Sequence, residues 1–215
     1  MMIKNNQWHY WNNKHNDRNY NYDNVSICRV LVEYIDSLNI VNNFLDHGCG
    51  YGRVSKMIFN KFPNAKITLN DIIDKPIQQN KTELSKCKSV STVLGQIHHI
   101  ADKFDCIISH RVIHSCPNYK DTFREIFRLM SENSSCFISV RSNECVQKDI
   151  DVDFLNKTSC EIIKPNGRFT KLFDKKEFTD LITNCGLTIK DSGQFYELSA
   201  KTTKANNYLY AICQN

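Results

Sequence analysis

The sequence predicts the α/β class, with a mostly parallel sheet between helices. Two observations carry this. From residue 43 to residue 141, apolar runs of strand length alternate with segments whose apolar residues recur at helical spacing. The first strand and helix of that series are joined by a turn with glycines at alternate positions, Gly48-Cys49-Gly50-Tyr51-Gly52. Alternation of this kind argues for parallel strands linked by right-handed crossovers.

The elements follow in order. The first two dozen residues are crowded with Asn and aromatics (Trp8, Tyr10, Trp11, Tyr20, Tyr22) and have no period. Ile27, Val30, Leu31, Tyr34, Ile35 and Leu38 then keep the i, i+3, i+4, i+7 rule, which predicts a helix on the sheet edge. A strand at 43–47 is followed by a helix at 52–61, marked by Val54, Met57 and Ile58, and by strand 65–70, helix 75–86 and strand 89–94. The link 95–103 is too short for a crossover helix. Strand 104–109, helix 119–131 and strand 135–141 complete the alternation. Residues 142–167 form a polar insertion with Pro165 and Gly167, long enough to imply a function or an ordering partner. Asp174-Lys175-Lys176-Glu177 is a capping box opening a helix with Phe178, Leu181, Ile182 and Cys185 on one face, stopped by Gly186. Apolar runs at 187–189 and 208–213 supply two last strands. The expected organisation is one domain over 43–215, with residues 1–42 packing on it.

At 215 residues the chain suits a single core. Its net charge of +5 is spread along the length and no block of Lys or Arg exceeds three, so no basic stripe marks a nucleic-acid face. The ten cysteines have no C-x-x-C spacing and several lie in apolar strands (Cys106, Cys136, Cys213). With no apolar signal segment in the first residues, this composition reads as cytoplasmic, reduced and metal-free. No run approaches the ~18 apolar residues of a membrane span.

The chemistry concentrates at residues 44–53, Phe-Leu-Asp-His-Gly-Cys-Gly-Tyr-Gly-Arg. A glycine turn between strand and helix lets a ligand approach the backbone. A dinucleotide fingerprint would have its third glycine where Arg53 stands, which disfavours a dehydrogenase. An acid, Asp71, ends the next strand nineteen residues beyond Gly52, where a carboxylate can accept from both hydroxyls of a ribose. The pattern acid-x-Gly-x-Gly-x-Gly resembles motif I of the class I S-adenosylmethionine-dependent methyltransferases. Phe104–His110 resembles their motif IV, and a helix ending in Arg128-Leu129 before the fifth strand resembles the small-molecule branch, of the type 11/12 kind. The resemblance runs from about Tyr10 to the C-terminus.

It implies a Rossmann-like three-layer α/β/α sandwich. The sheet would have seven mostly parallel strands, the last antiparallel and inserted between its neighbours. The implied cofactor is S-adenosylmethionine, with S-adenosylhomocysteine as product. Gly48, Gly50 and Gly52 would lie along its methionine part, Asp46 would hold the amino group directly or through water, and Asp71 would take the ribose. Ile72 would pack on the adenine, and Gln96, beside Ile97, would stand where the family usually has an acid for the adenine amino group. Cys49, Arg53 and Ser109 would border the same pocket.

On the acceptor side, His110 or His114, after the fourth strand, could take a proton from an acceptor hydroxyl. Arg111, Arg141 and Arg168 could grip an anionic acceptor. Tyr10 and Trp11 are either a lid on the site or a strap packed on the sheet. The leading expectation is methyl transfer to an oxygen or nitrogen of a small, in one reading anionic, molecule. RNA or protein methylation and a non-catalytic cofactor-binding partner subunit stand as alternatives. Adenine or glutamine-amide methylation is disfavoured, because Ser109-His110-Arg111-Val112 replaces the Asn/Asp-Pro-Pro-aromatic motif.

Overall fold

The computed structural model describes residues 8–14, 28–87, 89–144, 160–163, 166, 168–198 and 205–215. A short helix α1 covers residues 8–14. It is followed by α2 (Arg29–Ser37), β1 (Asn43–His47), α3 (Arg53–Lys61), β2 (Lys66–Asp71), α4 (Asp74–Glu83), β3 (Val90–Leu94), β4 (Phe104–His110), α5 (Tyr119–Leu129) and β5 (Met130–Arg141). The remaining elements are β6 (Cys160–Ile163), β7 (Phe169–Leu172), α6 (Lys175–Asn184), β8 (Thr188–Leu198) and β9 (Ala205–Gln214).

The main sheet runs β3-β2-β1-β4-β5-β9-β8. Strands β1 to β5 pair in parallel, and β9 lies antiparallel between β5 and β8. The expected seven-stranded sandwich is therefore present. Side chains alternate along each strand, so Cys106 and Ile108 pack toward α2, α3 and α4, while Ile107 packs toward α5 and α6. The strand order reverses between β1 and β4, and in open α/β sheets ligands lie at the carboxyl ends of the strands at such a switch point.

Four expectations need correction. Helix α2 lies on the face of the sheet, not its edge: Tyr34 Oη is 2.8 Å from Ser135 Oγ, and its ring is 5.6 Å from that of Phe137. Its stripe of Leu31, Tyr34 and Ile35 is wholly buried, which a sheet rim could not achieve. The capping box is half formed. Asp174 Oδ1 accepts from Glu177 N at 2.9 Å, but the Glu177 carboxylate turns to Lys171 Nζ at 3.0 Å, because that lysine is itself buried and needs a counter-charge. The described C-terminal part of the polar insertion holds a strand, β6, which pairs antiparallel with β7 just beyond the insertion and which polarity alone did not signal. Strand β5 starts directly at the end of α5, five residues earlier than expected, with a register irregularity opposite Phe104–Cys106. The link after β3 holds only a turn of 3₁₀ helix, Ile97–His99, as its length requires. Tyr20, Tyr22, Ile27 and the middle of the insertion lie outside the described residues. Among the described residues, no helix is long and apolar enough to cross a membrane.

Candidate active site

The turn after β1 is built so that backbone, not side chains, lines it. Gly48, Gly50 and Gly52 have φ of 68°, 47° and 68°. A Cβ on Gly52 would come within 2.3 Å of Asn80 Oδ1, and one on Gly48 within 2.4 Å of Val112 Cγ2. A Cβ on Gly50 would meet nothing within 4 Å, so this residue faces open space. Asn70 O accepts from Gly48 N at 2.8 Å and Cys49 N at 2.9 Å, and Asn80 Nδ2 donates to Gly50 O at 2.6 Å. These bonds pin the turn to β2 and α4.

Asp71 lies beside the turn. Its Oδ2 accepts from Gly50 N and its Oδ1 from Ile73 N, both at 3.0 Å. Each oxygen keeps a lone pair, which is what a vicinal diol needs. Burial pushes this carboxyl up and the backbone donors pull it back. Asp46 is differently placed. It is buried, and its Oδ2 accepts from Ser55 Oγ at 2.6 Å and Ser55 N at 3.2 Å in the first turn of α3. Burial pushes its carboxyl up to about 7, with Ser55 opposing and Asp71 adding.

The other cofactor-side residues divide. Ile72 is half-buried at the end of β2 and Gln96 is exposed beyond β3. Ile97 points into the core shared with Ile100 and Phe104. The Cys49 thiol is buried 3.8 Å from Asn80 Nδ2, and Ser109 Oγ is 2.9 Å from His47 Nδ1, so both side chains face inward. Arg53 opens α3, and its charge is felt at His110 and Glu197.

The acceptor-side residues come together at the carboxyl ends of β4 and β5, opposite the start of β9. His114 is buried in a 3₁₀ turn after β4, 6.1 Å from the Tyr208 ring, and its Nδ1 finds no partner among the described residues. Burial first, then the charges of Arg141, Arg168 and Arg111, push its pKa well down. Arg141 donates to Asn206 Oδ1, Arg168 lies 5.5 Å from the Tyr10 ring, and Arg111 lies 5.6 Å from the Tyr208 ring. Nε of Arg141 and Nε of Arg168 are buried with no hydrogen-bond partner among the described residues. Trp11 packs edge-on to Tyr10, with ring centroids 5.1 Å apart. His110 ends β4, with Nδ1 2.9 Å from Ser139 Oγ. Glu197, Tyr208, Asn206, Asn80 and Ser55 went unnoticed in the sequence. The first three come from distant strands and the last two lie within ordinary helical pattern, so no local signal marked them.

Residues 41–202 match the family model described as a methyltransferase domain. The chain belongs to this family. Its fold agrees: a 1,6-didemethyltoxoflavin-N1-methyltransferase of Burkholderia thailandensis, solved with S-adenosylhomocysteine, superposes with a TM-score of 0.75 over 97% of this chain and 86% of that one, at 16% identity. The N-methyltransferase NodS of Bradyrhizobium japonicum, also with S-adenosylhomocysteine, gives 0.70 over 98% of both chains at 15% identity. Among curated relatives, a malonyl-[acyl-carrier protein] O-methyltransferase of Ilyobacter polytropus is 24% identical over 76% of this chain and 61% of its own. A ribosomal RNA small subunit methyltransferase C of Haemophilus ducreyi is 31% identical over 40% of this chain and 26% of its own. The chain thus spans less than two thirds of these relatives. The glycine cradle, the open Gly50 backbone and the two-sided Asp71 fit the S-adenosylmethionine skeleton that both solved neighbours hold as S-adenosylhomocysteine.

Two expected results test the cofactor half of the site. Asp71→Ala should weaken S-adenosylhomocysteine binding by about 2–3 kcal/mol, since hydrogen bonds to a charged group are worth roughly 1.5–3 each and overlap. It should also lower the melting temperature by a few degrees, because the Gly50 and Ile73 amides lose their acceptor. Calorimetry with unchanged affinity in the folded variant would remove Asp71 from the site. For Asp46, the folded pKa of about 7 lies above the ordinary carboxyl value of 3.8. The stability it contributes is complete below the ordinary value and is lost as pH rises toward 7. Asp46→Asn keeps an acceptor for Ser55 without the charge, so its melting temperature should gain on the wild type between pH 4 and pH 7.5. A constant difference across that range would contradict the assignment.

Proposed function

We propose that this methyltransferase transfers the methyl group of S-adenosylmethionine to an oxygen of a small anionic acceptor. The observation that carries the reading is the buried His114 set among the charges of Arg111, Arg141 and Arg168, with the buried Nε–H donors of Arg141 and Arg168 lacking a hydrogen-bond partner among the described residues. Buried donors of this kind are costly unless a ligand satisfies them, and a carboxylate, phenolate or enolate does so.

When bound, the cofactor supplies a methyl already activated on sulfonium, so the protein has to orient the acceptor and, where needed, remove a proton. The guanidiniums lower the pKa of a bound hydroxyl, and His114 Nδ1, without a partner among the described residues, takes its proton in this reading. A carboxylate needs no base at all. Methylation cancels the charge that the arginines hold, which favours release of the product. That a relative is named an O-methyltransferase supports oxygen as the acceptor atom. The contact of Arg168 with Tyr10 supports α1 as a lid over the acceptor, with Trp11 beside it.

A panel of small carboxylic acids, phenols and enols, compared with amines, an acyl-carrier protein and ribosomal RNA, tests this by release of S-adenosylhomocysteine. Turnover should appear with small acids and fall more than tenfold in a folded Tyr10→Ala variant. Turnover confined to RNA or to amines would overturn the reading, and a Tyr10→Ala enzyme with full turnover would remove the lid.

A further inference from the structure

Strand β8 brings a buried carboxylate to the acceptor site from far along the sequence. Glu197 is 7% exposed. Its Oε2 takes Arg111 Nη1, and its Oε1 has no hydrogen-bond partner among the described residues. His110 Nε2 stands 4.0 Å from that oxygen, a gap closed by a small rotation. At the other end of the ring, His110 Nδ1 is 2.9 Å from Ser139 Oγ, and the same hydroxyl oxygen accepts Arg111 N at 3.0 Å.

These contacts select a tautomer. A proton on Nδ1 would leave the Nε2 lone pair facing a carboxylate oxygen. A proton on Nε2 points an N–H at the carboxylate instead, and lets the Ser139 hydroxyl donate to Nδ1. Phe195, two residues before Glu197, stacks on the imidazole at 6.0 Å and 24°, holding the ring plane. Arg111 is equally constrained. Its φ of 62° lies in the left-handed region that side chains seldom adopt, and such outliers persist where the surroundings over-determine them. Ser139 holds its backbone, Glu197 its guanidinium, and the Tyr208 ring that Arg111 faces also borders His114.

We infer that Glu197 is a positioning residue of the acceptor site: its carboxylate fixes His110 as the Nε2–H tautomer and orients Arg111 beside His114. His110 is then a hydrogen-bond donor, and the proton-accepting role falls to His114. The inference rests on the acceptor site proposed above and distinguishes between the two histidines within it.

Long-range proton–nitrogen correlation spectra of the ¹⁵N-labelled protein, saturated with S-adenosylhomocysteine, provide the test, with His110→Gln used to assign the signals. In the wild type His110 should be in the Nε2–H form. Glu197→Met keeps the side-chain volume and removes the acceptor; the Nδ1–H form should then rise at least tenfold in population, and exchange of the Arg111 Nε–H with water should quicken by a similar factor. Glu197→Gln has one oxygen for two donors; the Arg111 guanidinium claims it, the amide NH2 then faces Nε2, and the Nδ1–H form should rise in this variant as well. A purely structural Glu197 would shift the melting curve of both variants and leave the His110 signals alone. An Nδ1–H form in the wild type, or unchanged His110 and Arg111 signals in Glu197→Met, would overturn the inference, and the first of these holds even if that variant does not fold. No acceptor enters these spectra. An Nε2–H His110 together with turnover only on amines would therefore leave the positioning role standing and remove the anionic acceptor.

Discussion

Gly52→Ala is expected to reduce S-adenosylhomocysteine affinity by ~30–100-fold while the chain stays folded. A non-glycine residue at φ 68° carries roughly 1–2 kcal/mol of backbone strain. The new methyl would also stand at the position of the Asn80 amide, only 2.3 Å from its Oδ1. Asn80 must then withdraw, and its hydrogen bond to Gly50 O, worth about 1 kcal/mol, is lost. In the free protein the turn can relax and relieve both terms. Binding has to restore the geometry, so the cost appears as affinity, about 2–3 kcal/mol in all at ~1.4 kcal/mol per tenfold. Calorimetry showing a loss under threefold would mean that the turn tolerates a side chain and is not the cofactor cradle.

The second large effect is expected at His114. His114→Asn should lower kcat by ~10²–10⁴ on an acceptor that must lose a proton, the usual range for removing a general base. S-adenosylhomocysteine affinity should change less than threefold, since the hydrogen bonds that hold the glycine turn run to Asn70, Asn80 and Asp71 and not to His114. His110→Gln should cost less, because that ring faces Ser139 and Glu197. On a carboxylate acceptor, which carries no proton, His114→Asn should be nearly silent in kcat. Comparing kcat for the two substitutions on both kinds of acceptor separates base from bystander. Equal losses on both would show His114 to be a binding or packing residue.

The cofactor half of the candidate site could be proposed from the sequence because its signal is local. The glycines of the β1–α3 turn and the acid that ends β2 fall within thirty residues, and close approach of backbone to ligand dictates their type. The sheet was legible for a similar reason, since apolar runs and helical periods are short-range patterns. The acceptor half was only partly so. Arg111, Arg141 and His114 could be placed at strand ends, and Arg168 only as a candidate just past the insertion, but their convergence depends on β9 entering between β5 and β8. That pairing sets Arg141 opposite Tyr208 and carries Glu197 to Arg111. Asp46 shows the other limit. The family resemblance implies a cofactor role for it, while its bond from Oδ2 to Ser55 in α3 is a contact that only the folded chain reveals. Ser109 likewise turned inward, to His47.

The most direct measurement is kcat/KM for one small acid from the acceptor panel and for its primary amide, the same molecule without the charge. The acid should be preferred by at least a hundredfold in the wild type, and by less than tenfold once Arg141 and Arg168 are both replaced by Met. An enzyme that methylates the amide as readily as the acid would contradict the anionic acceptor, and with it the role given to the arginines around His114.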